Sequence, residues 1–320
     1  MRDALRHGHE RRKLRPDSIL MIAPKSALAA VVTALTLFIA GCTAPDAEGN
    51  REEVPAPEFQ AGVSHVHAID LDEMTGFVHI ATHEGILLAG MPHDGETVSE
   101  ANPLGDWRGD AMGLVRVGDR LLVSGHPGPA EEGPGAIGLR ESDLSGDEWT
   151  AISLEGEADF HSLAAGGTSP GMSMLAGLDS VSGRVMVSPD GGAGWQQGAA
   201  IAAASVAWNA DASALLATTS NGLVVSRDRG QSFEAVPDAP YLVLLASSPT
   251  ESDTFTMVGV DVQGVLHRSS DGLTWEAVGA VPLEPAAISV GAMGAIIVAD
   301  TAQVMHSVDG GTTWNLIVEL

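Results

Sequence analysis

The chain has 320 residues, with 42 Asp and Glu against 16 Lys and Arg and a formal net charge of −26. Such a surface repels polyanions, which argues against DNA, RNA and anionic cell-wall polymers as partners and favours cations or neutral ligands. A single cysteine, Cys42, excludes a disulfide framework and a cysteine-built zinc site, so packing must hold the fold together.

In chain order, the first element is a targeting segment. Lys25 precedes an apolar run over 27–40 that ends in IAGC at 39–42. About fourteen apolar residues are too few to span a bilayer comfortably and suit the core of a signal peptide. With Gly41 before Cys42, the run resembles the lipobox of bacterial lipoproteins. That resemblance implies a lipoprotein signal peptide over 1–41 and a lipid on Cys42, anchoring the protein on the extracytoplasmic side of a bacterial cell membrane. An ordinary signal peptide with an incidental cysteine is the alternative. The charged stretch MRDALRHGHERRKLRPDSIL is long for such a signal, and MIAPK from Met21 would suffice, which leaves Met1 and Met21 both open as the start. Residues 42–62, rich in Pro, Ala and Glu, read as a flexible tether. The first 41 residues hold seven of the sixteen Lys and Arg but three of the forty-two Asp and Glu, so the remainder carries 9 against 39, a net of about −30.

Residues 63–320 repeat with a period near forty, which decides the fold. SPDGGAGW at Ser188, SRDRGQSF at Ser226, SSDGLTW at Ser269 and SVDGGTTW at Ser307 share one skeleton, with Asp190, Asp228, Asp271 and Asp309 spaced 38, 43 and 38 apart. SDLSGDEW at Ser142 is a worn copy with Leu144 in the Asp position, and the unit around Trp107 has no recognisable box. Trp107, Trp149, Trp195, Phe233, Trp275 and Trp314 mark the ends of six units. Each unit contains four short apolar runs between turn residues, as in SVAWN, ALLATT, LVVSR and FEAVP. The pattern predicts an all-β, six-bladed β-propeller of four-stranded antiparallel blades, with seven blades the less favoured count, and a monomer. Trp195, Trp275 and Trp314 are expected to fill between blades. The box falls on the third-to-fourth strand connection, where its Asp accepts turn amides and its Gly permits a left-handed backbone; it is a structural fastener.

Propeller topology sorts the connections onto two faces. Asp boxes belong to the lower face, while first-strand starts and second-to-third turns are upper. His65 and His67 in SHVHAID, His83 in ATHEGI, Asp110 in GDAMG, His126 in SGHPGP, and Asp159 and His161 in EADFHSL all fall on the upper face of blades one to three. Asp179, Asp261 and Asp300 occupy equivalent turns without such a cluster, and His267 and His306, which precede Asp boxes, are assigned to the lower face. A His-x-His pair on a strand spaces two imidazoles by about 7 Å on one side, able to chelate a transition ion when a third ligand converges. His65, His67, His83, His126, His161 and Asp159 are therefore candidate ligands for copper or zinc; histidines that cap backbone amides or line a polar channel are the competing reading.

HVHAID, ATHEGI, SGHPGP and LEGEADFHSL, together with the Asp boxes, resemble bacterial secreted or lipid-anchored BNR/Asp-box repeat proteins, termed glycosyl hydrolase-like within the sialidase superfamily. Similar Asp-box propellers include photosystem II assembly factors and sortilin-type receptors, which bind proteins. The resemblance implies a cell-surface binding or assembly module with a protein or neutral glycan ligand, or alternatively a glycoside hydrolase. A sialidase clamps its substrate with three arginines and uses a Tyr assisted by a Glu. Of the nine arginines beyond the signal only Arg108 and Arg184 reach the upper face, the arginine-isoleucine-proline motif is absent, and the single tyrosine is Tyr241. A true sialidase is thereby disfavoured. For a different hydrolase, Asp110, Glu157 and Asp159 are the weak catalytic candidates, with Glu84 as a further rim carboxylate.

Overall fold

The computed structural model describes residues 63–92, 99–167, 173–249 and 256–320. The segments expected to be a signal peptide over 1–41 and a tether over 42–62, with Cys42, lie outside these residues. Six four-stranded antiparallel sheets follow one another along the chain, each built from four consecutive strands. The innermost strands are Val66–Asp72, Asp110–Val117, Phe160–Gly166, Ala203–Trp208, Leu242–Ser247 and Ala287–Val290. Each contacts the next around the ring, and the sixth returns to the first, which makes the six-bladed propeller expected from the repeat.

The second strands read as near-continuous apolar runs for a physical reason. Phe77–Thr82, Leu215–Thr219 and Ile296–Ala299 lie between two ladder partners, and neighbouring blades cover both their faces, so alternation is lost. Fourth strands such as Thr150–Ser153 and Glu234–Ala235 are short and have no buried residue. Apolar clusters lie between blades. Leu122, Leu139, Leu175 and Trp195 join blades two and three, Leu216, Met257 and Trp275 join four and five, and Val258, Leu266 and Trp314 join five and six. The three tryptophans fill the gaps assigned to them.

Among the described residues ring closure uses no exchanged strand, because the sixth blade takes all four strands from the C-terminal segment. The Glu73 carboxylate accepts the amides of Met293 and of Ala295, the latter at 3.1 Å, and the Ser99 amide donates to the Ile317 carbonyl at 3.0 Å. These contacts and the facing inner strands of blades six and one seal the seam.

The Asp boxes are turn fasteners in atomic detail. In the last one, Ser307 Oγ donates to Asp309 Oδ1 at 2.8 Å and accepts the Gly311 amide at 2.8 Å, while Asp309 Oδ1 accepts the amides of Thr312 and Thr313. Backbone and side-chain donation from Thr313 lowers the Asp309 carboxyl to about 2; Ser232 does the same for Asp228. The boxes of Asp190 and Asp271 repeat the pattern. In the worn copy, Leu144 cannot accept, and buried Ser142 Oγ has no hydrogen bond. Ser307 is fully buried, so Ser307→Ala is expected to cost about 1–3 kcal/mol in urea unfolding by stranding the Gly311 amide. A loss near zero would mean that the turn holds itself.

Candidate metal centre at the upper mouth

The centre begins with an irregularity in the ladders. The inner strands of blades one to five each slip register by one residue near their upper ends, leaving His67, Met112, His161, Ala204 and Val243 as the unpaired extra residues. The blade-six inner strand pairs with its neighbour without a slip. A bulge bends the strand and re-aims its extra side chain. Here His67, Met112 and His161 line the upper end of a central channel of about 780 Å³ that touches the inner strands of all six blades.

Two glycines let the surrounding backbone close in. Gly125 has φ +144, and a Cβ there would lie 1.9 Å from the Asp110 carbonyl oxygen; Gly85 has φ +118, and its Cβ would lie 2.7 Å from the Trp107 carbonyl oxygen. The first brings the second strand of blade two, Arg120–His126, against Asp110. The second lets the His83 turn pack on blade two. Thr82 Oγ1 shapes that turn, donating to the Gly85 carbonyl at 2.9 Å and accepting the Glu84 amide at 3.1 Å.

The side chains form one continuous run across three blades. His65 Nδ1 lies 2.9 Å from His83 Nε2, and His83 Nδ1 lies 2.9 Å from Asp110 Oδ2. If His83 Nε2–H donates to His65 Nδ1, the His83 Nδ1 lone pair faces Asp110 Oδ2, the arrangement that a shared ion requires; the opposite tautomer donates Nδ1–H to Asp110 and offers no lone pair there. Asp110 also meets His126 Nδ1 at 3.1 Å and His67 Nε2 at 3.6 Å. His126 Nε2 faces Asp159 Oδ2 at 3.3 Å, and the same oxygen meets His161 Nε2 at 2.8 Å and accepts Ser180 Oγ–H at 2.6 Å. Ligand atoms of His67, His83 and Asp110 all lie within 4.8 Å of one another. His67 Nε2 and Asp110 Oδ1 are buried without a hydrogen-bond partner, as is Asp159 Oδ1.

Protonation follows position. Burial, then the neighbouring His83, lowers the His67 pKa, which keeps its ring neutral with a lone pair to give at neutral pH. His161 is pushed up by its hydrogen bond to Asp159. For Asp159 burial opposes ionisation most strongly, but the hydrogen bonds from His161 and Ser180 and the histidine charges outweigh it, and the carboxyl ends below its ordinary value. His67 therefore presents a neutral imidazole, while Asp159 and His161 form an anchored ion pair. An ion bound at about 2.0–2.2 Å from nitrogen and oxygen ligands spaces them by about 3 Å, a separation that the His67, His83 and Asp110 atoms already approach.

All six predicted ligands and Asp110 thus come together. Glu157 stands exposed in the turn before blade three and joins none of these contacts; Glu84 reaches the rim, where Ser64 Oγ donates to its Oε1 at 2.6 Å. Asp179 does not stand apart as the sequence suggested. Buried, it accepts the Asp159 amide at 2.9 Å and the Ser182 amide at 2.9 Å, and so orients Asp159. Ser124 Oγ accepts the Phe160 amide at 2.9 Å from the neighbouring blade. Asp179 had a signal in its turn position; Ser124 and Met112 had none. The assignment of His267 to the lower face is corrected: from mid-strand its Nε2 turns back to Asp261 in the upper turn, at 2.8 Å. Arg108 and Arg184 are spent on backbone carbonyls, of Gly105 and Trp107 and of Gly198, and assemble no carboxylate clamp.

No family model matches the chain, and no characterised protein matches it by sequence. Among solved structures, a gluconolactonase from Xanthomonas campestris superposes with a TM-score of 0.52 at 13% identity, covering 75% of this chain and 84% of that one. A chain of the nidogen–laminin complex gives 0.50 at 14% identity, over 72% and 88%. The GH74 xyloglucanase from Xanthomonas campestris gives 0.47 at 17%, over 80% of this chain and 45% of its own, so the chain spans less than half of that enzyme. The likeness is one of fold: a six-bladed propeller distantly similar to binding modules and enzymes alike.

Proposed function

We propose that the protein is an extracytoplasmic lipoprotein of the BNR/Asp-box kind whose propeller acts as a binding or assembly module and holds a transition-metal ion, copper or zinc, at the upper mouth. One observation carries the metal reading. His67 Nε2 and Asp110 Oδ1, both buried and both without a hydrogen-bond partner, face each other at 3.6 Å with His83 beside them. Leaving such atoms unmet costs free energy that a bound ion would recover. The acidic surface draws cations toward the mouth, and His65, His126 and Asp159 surround the three ligands.

Melting of protein purified without a histidine tag tests this. Copper(II), zinc and nickel at about 100 µM are each expected to stabilise the fold, by roughly 2–3 kcal/mol for a micromolar site, with copper tightest. No shift with any of them removes the metal reading.

The anchor rests on IAGC. Cys42→Ser is expected to release the protein or leave an unprocessed precursor, and unchanged lipid labelling would refute the assignment. A glycoside hydrolase would need one carboxyl held protonated as its acid; Asp159 is shifted in the opposite direction.

A further inference from the structure

The bulges leave one extra residue near the upper end of the inner strand in each of five blades, and only three of the five carry a donor atom: His67, Met112 and His161. They occupy one structural position on consecutive blades, with the methionine in the middle. Met112 lies two residues beyond Asp110 on the same strand and lines the channel with both histidines. It is only half-buried and belongs to none of the apolar clusters that pack the blades together. A methionine that filled a core gap would sit within such a cluster. This one brings a flexible thioether to the same channel that His67 lines, and the Nε2 of His67 has no hydrogen-bond partner.

Imidazole and carboxylate suffice for a divalent ion, whereas a thioether adds little for zinc and suits monovalent copper. We propose that Met112 is a further ligand of the centre and enables it to hold copper(I) as well as copper(II), with His67 as the imidazole partner. The proposal rests on the metal reading above and narrows the ion to copper. It also divides the ligands: Asp110 and His83 serve the divalent ion, and Met112 the monovalent one.

The test uses the full chain under anaerobic conditions, with copper(I) supplied by ascorbate reduction and bathocuproine disulfonate as competitor. Met112→Leu keeps the side-chain volume and is expected to weaken copper(I) binding by about tenfold or more while leaving the copper(II) and zinc melting shifts unchanged. Copper X-ray absorption of the unmodified copper(I)-loaded protein, which needs no variant, is expected to show a sulfur neighbour. Copper(I) held as tightly by Met112→Leu as by the unmodified chain, a sulfur-free copper(I) shell, or no copper(I) binding by a chain that does bind copper(II) would each overturn the proposal and leave the divalent site standing. Failure of copper(II) and zinc alike would overturn the metal reading itself, and this proposal with it.

Discussion

Phe160→Ala is expected to lower the stability of the protein by about 3–5 kcal/mol and to weaken metal binding at the same time. Phe160 is fully buried, its ring centre lies 4.6 Å from that of Trp195, and the space it takes is the reason Gly177 opposite can carry no side chain, since a Cβ there would lie 2.4 Å from the ring. Truncation leaves a cavity that these neighbours cannot collapse to fill. The residue also stands between Asp159 and His161, and its amide is tied to Ser124 of blade two. Core packing and the second half of the histidine run therefore share one strand segment. Urea unfolding measures the first effect and copper titration the second, with Phe160→Leu expected to fall between the parent and the alanine variant. A loss under about 1 kcal/mol would mean that the packing of blade three does not depend on this ring.

His67→Ala is expected to behave the opposite way, melting nearly as the parent does without metal but losing most of the copper-induced stabilisation. For a micromolar site at about 100 µM copper that stabilisation is roughly 2–3 kcal/mol, because an ion bound only by the folded state stabilises it by the logarithm of its concentration over the dissociation constant. Removing His67 takes away a neutral, buried nitrogen that has no other partner and leaves Asp110 with His83 and His126. In the metal-free protein little is lost, since no hydrogen bond is broken. Ser307→Ala, on the lower face, serves as the control: it should reduce stability and leave the copper shift intact. A full copper shift in His67→Ala would place the ion elsewhere.

The architecture was legible in the sequence because it is built from local signals. Each Asp box closes on itself within a few residues, so its Ser, Asp, Gly and aromatic spacing reports a third-to-fourth strand turn wherever it occurs. A spacing near forty then counts the blades. Once the topology is known, alternation of up and down strands assigns every connection to a face, which is how seven side chains scattered over 97 positions, from His65 to His161, were brought to one rim. Position on a rim is not yet contact. The register slips that make His67, Met112 and His161 the extra residues depend on how each inner strand pairs with its second strand, a non-local choice that leaves no mark in hydrophobic periodicity. Nothing in the sequence singles out Gly125; only the fold shows that a Cβ there would lie 1.9 Å from the Asp110 carbonyl oxygen. Asp179 and Asp261 hold similar turn positions, yet the first orients Asp159 and the second captures His267, because different strands happen to pass beside them. Local spacing thus determined the blades and the face, while ladder register and the close approach of neighbouring blades decided which atoms meet and which are left without a hydrogen-bond partner.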